Sequence, residues 1–265
     1  MILCIDIGNS NLKFGIYQDD SLIHHWRISS KVDRSETEYE LLVGQFLAAA
    51  SIQVEQIGMV AISCVIPRLV EPFQYCLRQL FASEPLWIRA ETDLGLEIRI
   101  DNPREIGSDL LANAVAGYAM ATKPCIVVDF GTALSFTAVN RIGGPSQAAF
   151  IAGVAIAPGI GSALRALNLS TAQLPEVPLA APPQAIGANT INSIQSGLIF
   201  GYTGLVEGLI RRMAQELHET PIVIGTGWMS DIIAAQSTVF TYIEPWLTLN
   251  GLRLIAARNT GALKT

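Results

Sequence analysis

One short pattern occurs twice in this chain and limits its fold more than any other feature. Ile2-Leu3-Cys4-Ile5 runs into Asp6-Ile7-Gly8-Asn9-Ser10 and then Leu12-Lys13-Phe14-Gly15-Ile16-Tyr17. Ile126-Val127-Val128 runs into Asp129-Phe130-Gly131-Thr132 and then Leu134-Ser135-Phe136-Thr137-Ala138-Val139. Each copy is an apolar strand, a polar Asp-x-Gly turn and a second strand, so each predicts a β-hairpin. Asp6 and Asp129 lie 123 residues apart in a chain of 265. The repeat predicts a duplicated α/β unit, divided as 1–118 and 119–265; chance similarity over so few positions is the competing reading.

The segments after each hairpin favour duplication. In the first half a third strand is expected over Leu22–Ile28, and a helix over Ser35–Ala50 with Tyr39, Leu42, Val43, Phe46, Leu47 and Ala50 on one face. A buried strand over Ile57–Val65, a helix opened by Pro67 and a short strand over Pro85–Ala90 follow. The second half predicts a strand over Phe150–Ala157, a helix after Gly161, a long helix over Thr190–Leu217 and a strand over Ile222–Ile224. A short helix at Met229–Ala235 and a last helix over Leu249–Asn259 close the chain, while four prolines make Thr171–Pro183 a loop. Such alternation argues an α/β fold with mixed sheets.

Half of the residues are hydrophobic and 15% are charged, which excludes intrinsic disorder. The net charge of −6 offers no basic stripe for a phosphate backbone, so nucleic acid is not an expected partner. Cys4, Cys64, Cys76 and Cys125 lie far apart, without ligand-spaced histidines, and read as small buried hydrophobes of a reducing compartment. No basic n-region marks a signal peptide, and the uncharged stretch between Arg141 and Arg165 holds too much glycine and proline to span a membrane. A cytoplasmic protein is expected.

The chemistry-bearing candidates start from what is missing. The only lysines are Lys13, Lys31, Lys123 and Lys264, none within a Gly-x-x-x-x-Gly-Lys-Ser/Thr run, so a P-loop is excluded. A glycine-bearing turn instead lets backbone N–H groups approach a phosphate, with Asn9, Ser10 and Asn11 as added neutral donors. Asp6 would repel a phosphate and is better used to hold Mg²⁺ or its waters. In the second copy Asp129 offers a carboxylate and Thr132 a hydroxyl donor. The run Asp101-Asn102-Pro103-Arg104-Glu105-Ile106-Gly107-Ser108-Asp109 precedes an apolar helix over Leu110–Met120. Ser108 or Asp109 suits its N-cap, and Asp109 equally suits the base that takes a hydroxyl proton in phosphoryl transfer; spacing does not separate these readings.

These residues, taken in order, resemble the type III pantothenate kinases of the acetate and sugar kinase/Hsp70/actin superfamily. The resemblance spans Asp6-Ile7-Gly8-Asn9-Ser10, Asn102-Pro103-x-Glu105-x-Gly107-x-Asp109, Asn113-Ala114 and Val128-Asp129-Phe130-Gly131-Thr132-Ala133. It continues through Ala157-Pro158-Gly159, Thr171-Ala172-x-Leu174-Pro175, Ile186-Gly187-x-Asn189-Thr190, Gln195-Ser196-Gly197 and Leu247-Thr248-Leu249-x-Gly251-Leu252-Arg253-Leu254. It implies two ribonuclease H-like domains with a nucleotide cleft between them, a homodimer, and ATP-dependent phosphorylation of pantothenate, the first step of coenzyme A synthesis. Mg²⁺ and a monovalent cation, K⁺ or NH₄⁺, are implied cofactors.

By the same resemblance, Asp6, Ile7, Gly8, Asn9, Ser10, Asn11, Leu12, Lys13 and Thr132 would bind ATP. Asp109 would be the general base, Asp129 would hold the monovalent cation, and Ile100, Gly107, Ser108, Asp109, Leu110 and Thr190 would line the pantothenate site. The chain departs from the family pattern at Leu110, normally arginine, and at Ile100, normally tyrosine. It departs again at Leu134-Ser135, normally two threonines, and at Trp228, normally the second glycine of a turn. Leucine supplies no donor for a carboxylate, and Arg99 or Arg104 is a candidate replacement. A non-catalytic nucleotide-binding homologue with a drifted substrate pocket is the alternative to a working kinase.

Overall fold

The computed structural model describes residues 1–141, 148–170, 177–217 and 219–260. The Thr171–Pro175 motif and part of the expected proline-rich loop lie outside them. In the first half the strands are Ile2–Ile7 (β1), Asn11–Gln18 (β2), Ser21–Ser29 (β3), Met59–Cys64 (β4), Leu86–Trp87 (β5) and Glu97–Ile98 (β6). The helices are Glu36–Ala49 (α1), Pro67–Leu80 (α2) and Ser108–Ala121 (α3). The second half holds strands Cys125–Phe130 (β7), Ala133–Arg141 (β8), Ala149–Pro158 (β9), Ile222–Gly227 (β10) and Tyr242–Ile243 (β11). Its helices are Ile160–Ser170 (α4), Thr190–Leu217 (α5), Ser230–Ala234 (α6) and Leu247–Asn259 (α7).

The chain forms two compact units, Met1–Ala116 with the segment from Leu247 onward, and Gly117–Trp246. The first carries the sheet β3-β2-β1-β4-β5, in which β1, β2 and β3 are antiparallel neighbours and β4 and β5 run parallel to β1. The second carries β9-β8-β7-β10-β11, in which β7, β8 and β9 are antiparallel and β10 and β11 parallel to β7. Strand for strand this is one topology used twice, so the repeat is a duplication of architecture. Asp6 is the fifth residue of β1 and Asp129 the fifth of β7.

Each unit has its own core. Phe14, Tyr39, Phe73, Ile62 and Leu69 pack together in the first, Phe136, Ile199, Val206 and Ile233 in the second. Helix α1 starts at a reciprocal capping box: the Ser35 backbone N–H donates to Glu38 at 2.7 Å, and the Glu38 N–H donates to the Ser35 hydroxyl at 3.3 Å. Its Tyr39, Val43 and Leu47 are buried as the 3.6-residue period requires. Three of the four cysteines are buried and all four are free, and burial pushes the Cys76 and Cys125 thiols up to about 12. Among the described residues no helix is long and apolar enough to cross a membrane.

The expected division at residue 118 corrects in one respect. Helix α7 belongs to the first unit, because Leu249, Leu252 and Ile255 are fully buried and the helix packs on β1, β4 and β2. Helix α5 is buried along one side only. Ile194, Leu198, Ile199, Thr203 and Val206 are buried, but Gly197, Gly201, Gly204 and Gly208 form an open row with nothing within 4 Å of an added Cβ.

Candidate functional site

The first unit gathers its candidate residues at the ends of β1 and β4. Asp6 is 3% exposed, and its Oδ2 takes an ion pair from Lys13 Nζ at 3.1 Å across the β1–β2 ladder. Its Oδ1 is buried without a hydrogen-bond partner. A buried carboxylate oxygen left in that state is costly unless something binds it, and a hard cation or its water fits this donor. The turn that follows is held by the Gly8 N–H donating to the Asn11 carbonyl at 3.0 Å and by the Ser30 N–H donating to the Ser10 carbonyl at 3.0 Å. Asn9 and Ser10 are exposed there, as phosphate donors need to be. Ile7 and Leu12 are fully buried in the core, which leaves only their main chain to face a ligand.

Opposite Asp6 in the parallel register stands Ser63 on β4, fully buried. Its hydroxyl shares a 2.9 Å hydrogen bond with the Ser108 hydroxyl, which also accepts the Cys64 backbone N–H at 3.0 Å. Ser108, the first residue of α3, therefore ties that helix to β4 instead of turning its side chain back along its own helix. Asp109 follows, its Oδ1 accepting the Leu110 N–H at 2.9 Å. A Cβ on Gly107 would lie 2.5 Å from that oxygen, so the glycine leaves room for the carboxylate.

Gly107 and Ser108 line a cavity of about 650 Å³ with Cys64, Val65, Trp87 and Ile88 on its apolar side, and Arg89, Glu91, Arg104 and Glu105 among its charged lining. That volume suits a small-molecule ligand. Arg104 is paired with Glu91 at 2.9 Å, and Glu105 accepts from Asn102 at 2.7 Å. Burial holds the Cys64 thiol above its ordinary value of 9.0. Ile100, Asp109 and Leu110 are not among the lining residues; Asp109 is half-buried and directly follows the lining residue Ser108, and Leu110 is packed inward at 8% exposure.

The second unit repeats the arrangement around Asp129, whose neighbour in the parallel register is Thr226. Thr226 is 1% exposed and its hydroxyl has no hydrogen-bond partner. Gly227 adopts φ +89°, and a Cβ there would lie 2.8 Å from Asp129 Oδ1, so this turn excludes any side chain beside the carboxylate. A half-buried carboxylate beside an unsatisfied hydroxyl suits a weakly hydrated monovalent cation. Thr132 is exposed, and its carbonyl accepts from the Gly159 N–H at 3.1 Å and the Ser162 hydroxyl at 2.8 Å. Trp228 is 48% exposed, its ring edge 3.4 Å from where a Cβ of Gly161 would stand, so it covers the start of α4. Thr190 begins α5 and is exposed, lining a separate cavity with Gly187, Asn189 and Ser193.

Sequence reasoning missed Ser63, Thr226 and Arg89. The two hydroxyls sit inside apolar strands, where the only signal is their pairing with Asp6 and Asp129 in a duplicated register.

Comparison with known proteins gives a consistent answer. A family model described as type III pantothenate kinase matches residues 2–212. A type III pantothenate kinase of Roseiflexus sp. (strain RS-1) is 44% identical over 259 residues, covering 98% of this chain and 99% of the relative. One of Geotalea daltonii is 40% identical with the same coverage. Among solved structures, component A of the (R)-2-hydroxyglutaryl-CoA dehydratase of Acidaminococcus fermentans is similar with a TM-score of 0.52 at 12% identity, over 98% of each chain. The activator of the 2-hydroxyisocaproyl-CoA dehydratase of Clostridium difficile, solved with ADPNP, gives 0.51 at 10% identity over 99% of this chain and 96% of that one. Those structural likenesses bear on fold alone, and they agree with two ribonuclease H-like, actin-type units.

Proposed function

The chain belongs to the type III pantothenate kinase family, and from this premise we propose that it transfers the γ-phosphoryl group of ATP to the primary hydroxyl of pantothenate, opening coenzyme A synthesis in the cytoplasm. The observation that carries the reading is the pair of carboxylates at equivalent strand ends, Asp6 and Asp129, together with Asp109 at the head of α3, next in the chain to Gly107 and Ser108, which line a ligand-sized cavity.

Asp109 receives the proton of the attacking hydroxyl while the oxygen bonds to the γ-phosphorus and the bond to the β-phosphate bridging oxygen breaks, releasing ADP. The Leu110 N–H holds that carboxylate in place. The turn after β1 presents Gly8, Asn9, Ser10 and Asn11 to the phosphates, and the Thr132 hydroxyl is a further candidate donor. Asp6 would hold Mg²⁺, directly or through water, and Asp129 with Thr226 a K⁺ or NH₄⁺ ion; such cations neutralise charge on the phosphates. Gly107 and Ser108 line the pantothenate pocket.

The open glycine row on α5 supports a homodimer. Each mid-helix glycine costs about 0.5–1 kcal/mol relative to alanine, a cost that close approach by another helix offsets. Sedimentation at micromolar concentration is expected to give twice the 28.5 kDa chain mass, and a monomer would remove the proposal.

The test of activity is an ADP-release assay with ATP, Mg²⁺ and pantothenate, run with and without K⁺. Turnover that depends on K⁺ is expected, and Asp109→Asn is expected to lose it while still binding ATP. Unchanged turnover in that variant would refute the base assignment.

A further inference from the structure

The substrate of the proposed reaction carries a carboxylate, and a carboxylate entering a protein cavity needs a cation or several N–H donors. Leu110 supplies neither, being buried and absent from the cavity wall. Two guanidinium groups do line the cavity, Arg89 and Arg104. Arg104 is already engaged by Glu91 at 2.9 Å. Arg89 makes no ion pair and no side-chain hydrogen bond among the described residues; its electrostatic neighbour is the same Glu91, whose carboxylate is bonded by Arg104.

The base of Arg89 is fixed even though its head is uncommitted. Its backbone N–H donates to the Thr92 hydroxyl at 3.0 Å, and its carbonyl accepts the Thr92 N–H at 3.0 Å. The preceding Ile88 is buried and donates its N–H to Ile62 on β4 at 2.9 Å. The Arg89 side chain is exposed on this anchored turn, so its planar fork is available for bidentate contact with a carboxylate.

We propose that Arg89 is the residue that recognises the substrate's carboxylate, replacing a donor that Leu110 cannot provide. The inference rests on the kinase reading above and assigns the acid end of that substrate. It makes Arg89 a specificity residue: it selects the acid over an otherwise identical alcohol and takes no part in the proton transfer.

The experiment compares the full wild-type chain with Arg89→Ala, Arg89→Lys and Arg104→Ala, using pantothenate and pantothenyl alcohol, in which a hydroxymethyl group stands for the carboxylate. The wild-type chain should prefer the acid. Arg89→Ala should raise KM for pantothenate by roughly 10- to 100-fold, with kcat within about threefold and KM for the alcohol little changed. Arg89→Lys should fall between, since it keeps the charge without the fork. Unchanged KM in Arg89→Ala, or the loss appearing in Arg104→Ala instead, overturns the assignment while leaving the kinase reading standing. Failure of the wild-type chain to phosphorylate pantothenate at all overturns that reading, and the assignment with it.

Discussion

Ser108→Ala removes the group that ties α3 to β4, and its cost follows from the hydrogen bonds around it. The Ser108 hydroxyl holds two partners, the fully buried Ser63 hydroxyl at 2.9 Å and the Cys64 N–H at 3.0 Å. Deleting it strands both, at about 1–3 kcal/mol for a buried group left unsatisfied, so the first unit should lose roughly 2–4 kcal/mol. Ser63→Ala breaks one neutral hydrogen bond and leaves the Cys64 bond in place, at about 1 kcal/mol. The double variant strands only the Cys64 N–H, so it should be no less stable than Ser108→Ala alone, with a coupling of at least about 1 kcal/mol. Urea unfolding of the four proteins, followed by tryptophan fluorescence, measures all of this. Additive losses in the double variant would refute the proposed sharing of the bond, and an unshifted midpoint in Ser108→Ala would refute the tie itself.

Other outcomes follow from single contacts. A Cβ on Gly159 would fall within bonding-clash range of the Gly131 and Thr132 carbonyl oxygens, so Gly159→Ala should displace the Thr132 turn and raise KM for ATP about tenfold or more; an unchanged KM for ATP would count against a phosphate role for that turn. Burial, aided by the charge of Asp6, holds the Cys64 thiol above its ordinary value, so alkylation at pH about 8 should be slower than that of a free thiol and slower again with pantothenate present. Mass spectrometry of the alkylated protein decides this, and free-thiol rates at Cys64 would contradict it. The Ser35 backbone N–H, then its hydroxyl, hold the Glu38 carboxyl below its ordinary 4.5, so its contribution is present above the unfolded value and is lost as pH falls through the folded one. The Tm difference between wild type and Glu38→Gln should therefore shrink toward acid pH, and a difference that grows there would refute the linkage.

Much of this molecule was legible in its residues because periodicity and breakers agree. The hairpins at Asp6 and Asp129, the face of α1 and the span of α5 from Thr190 to Leu217 all coincide with their expected positions. Helix α7 was read as a helix but assigned to the wrong unit, since an apolar stripe states that a surface is needed without stating which sheet supplies it. The two-residue strands β6 and β11 were missed because so short a segment has no period. At the site, Asp6, Gly107 and Asp109 stood out through glycine and acid spacing. Arg89 did not, because an arginine after a short strand is commonplace until a cavity is seen beside it. Ile100 and Leu110 were named by likeness to other sequences, and neither lines that cavity.

The return of α7 to the first unit has a consequence for synthesis on the ribosome. Domains commonly fold as they emerge, N-terminal part first. Here β1 to β5 leave the ribosome long before Leu249, Leu252 and Ile255 exist to cover them. The second unit has its whole sequence by Trp246, while the earlier-made sheet still lacks the helix that covers its apolar face. The last helix is then the closing piece, and its fit is close: at Gly251 the backbone runs so near the Ala112 carbonyl that any side chain would collide. A released chain truncated after Trp246 should accordingly be protected from protease in the second unit and cut in the first.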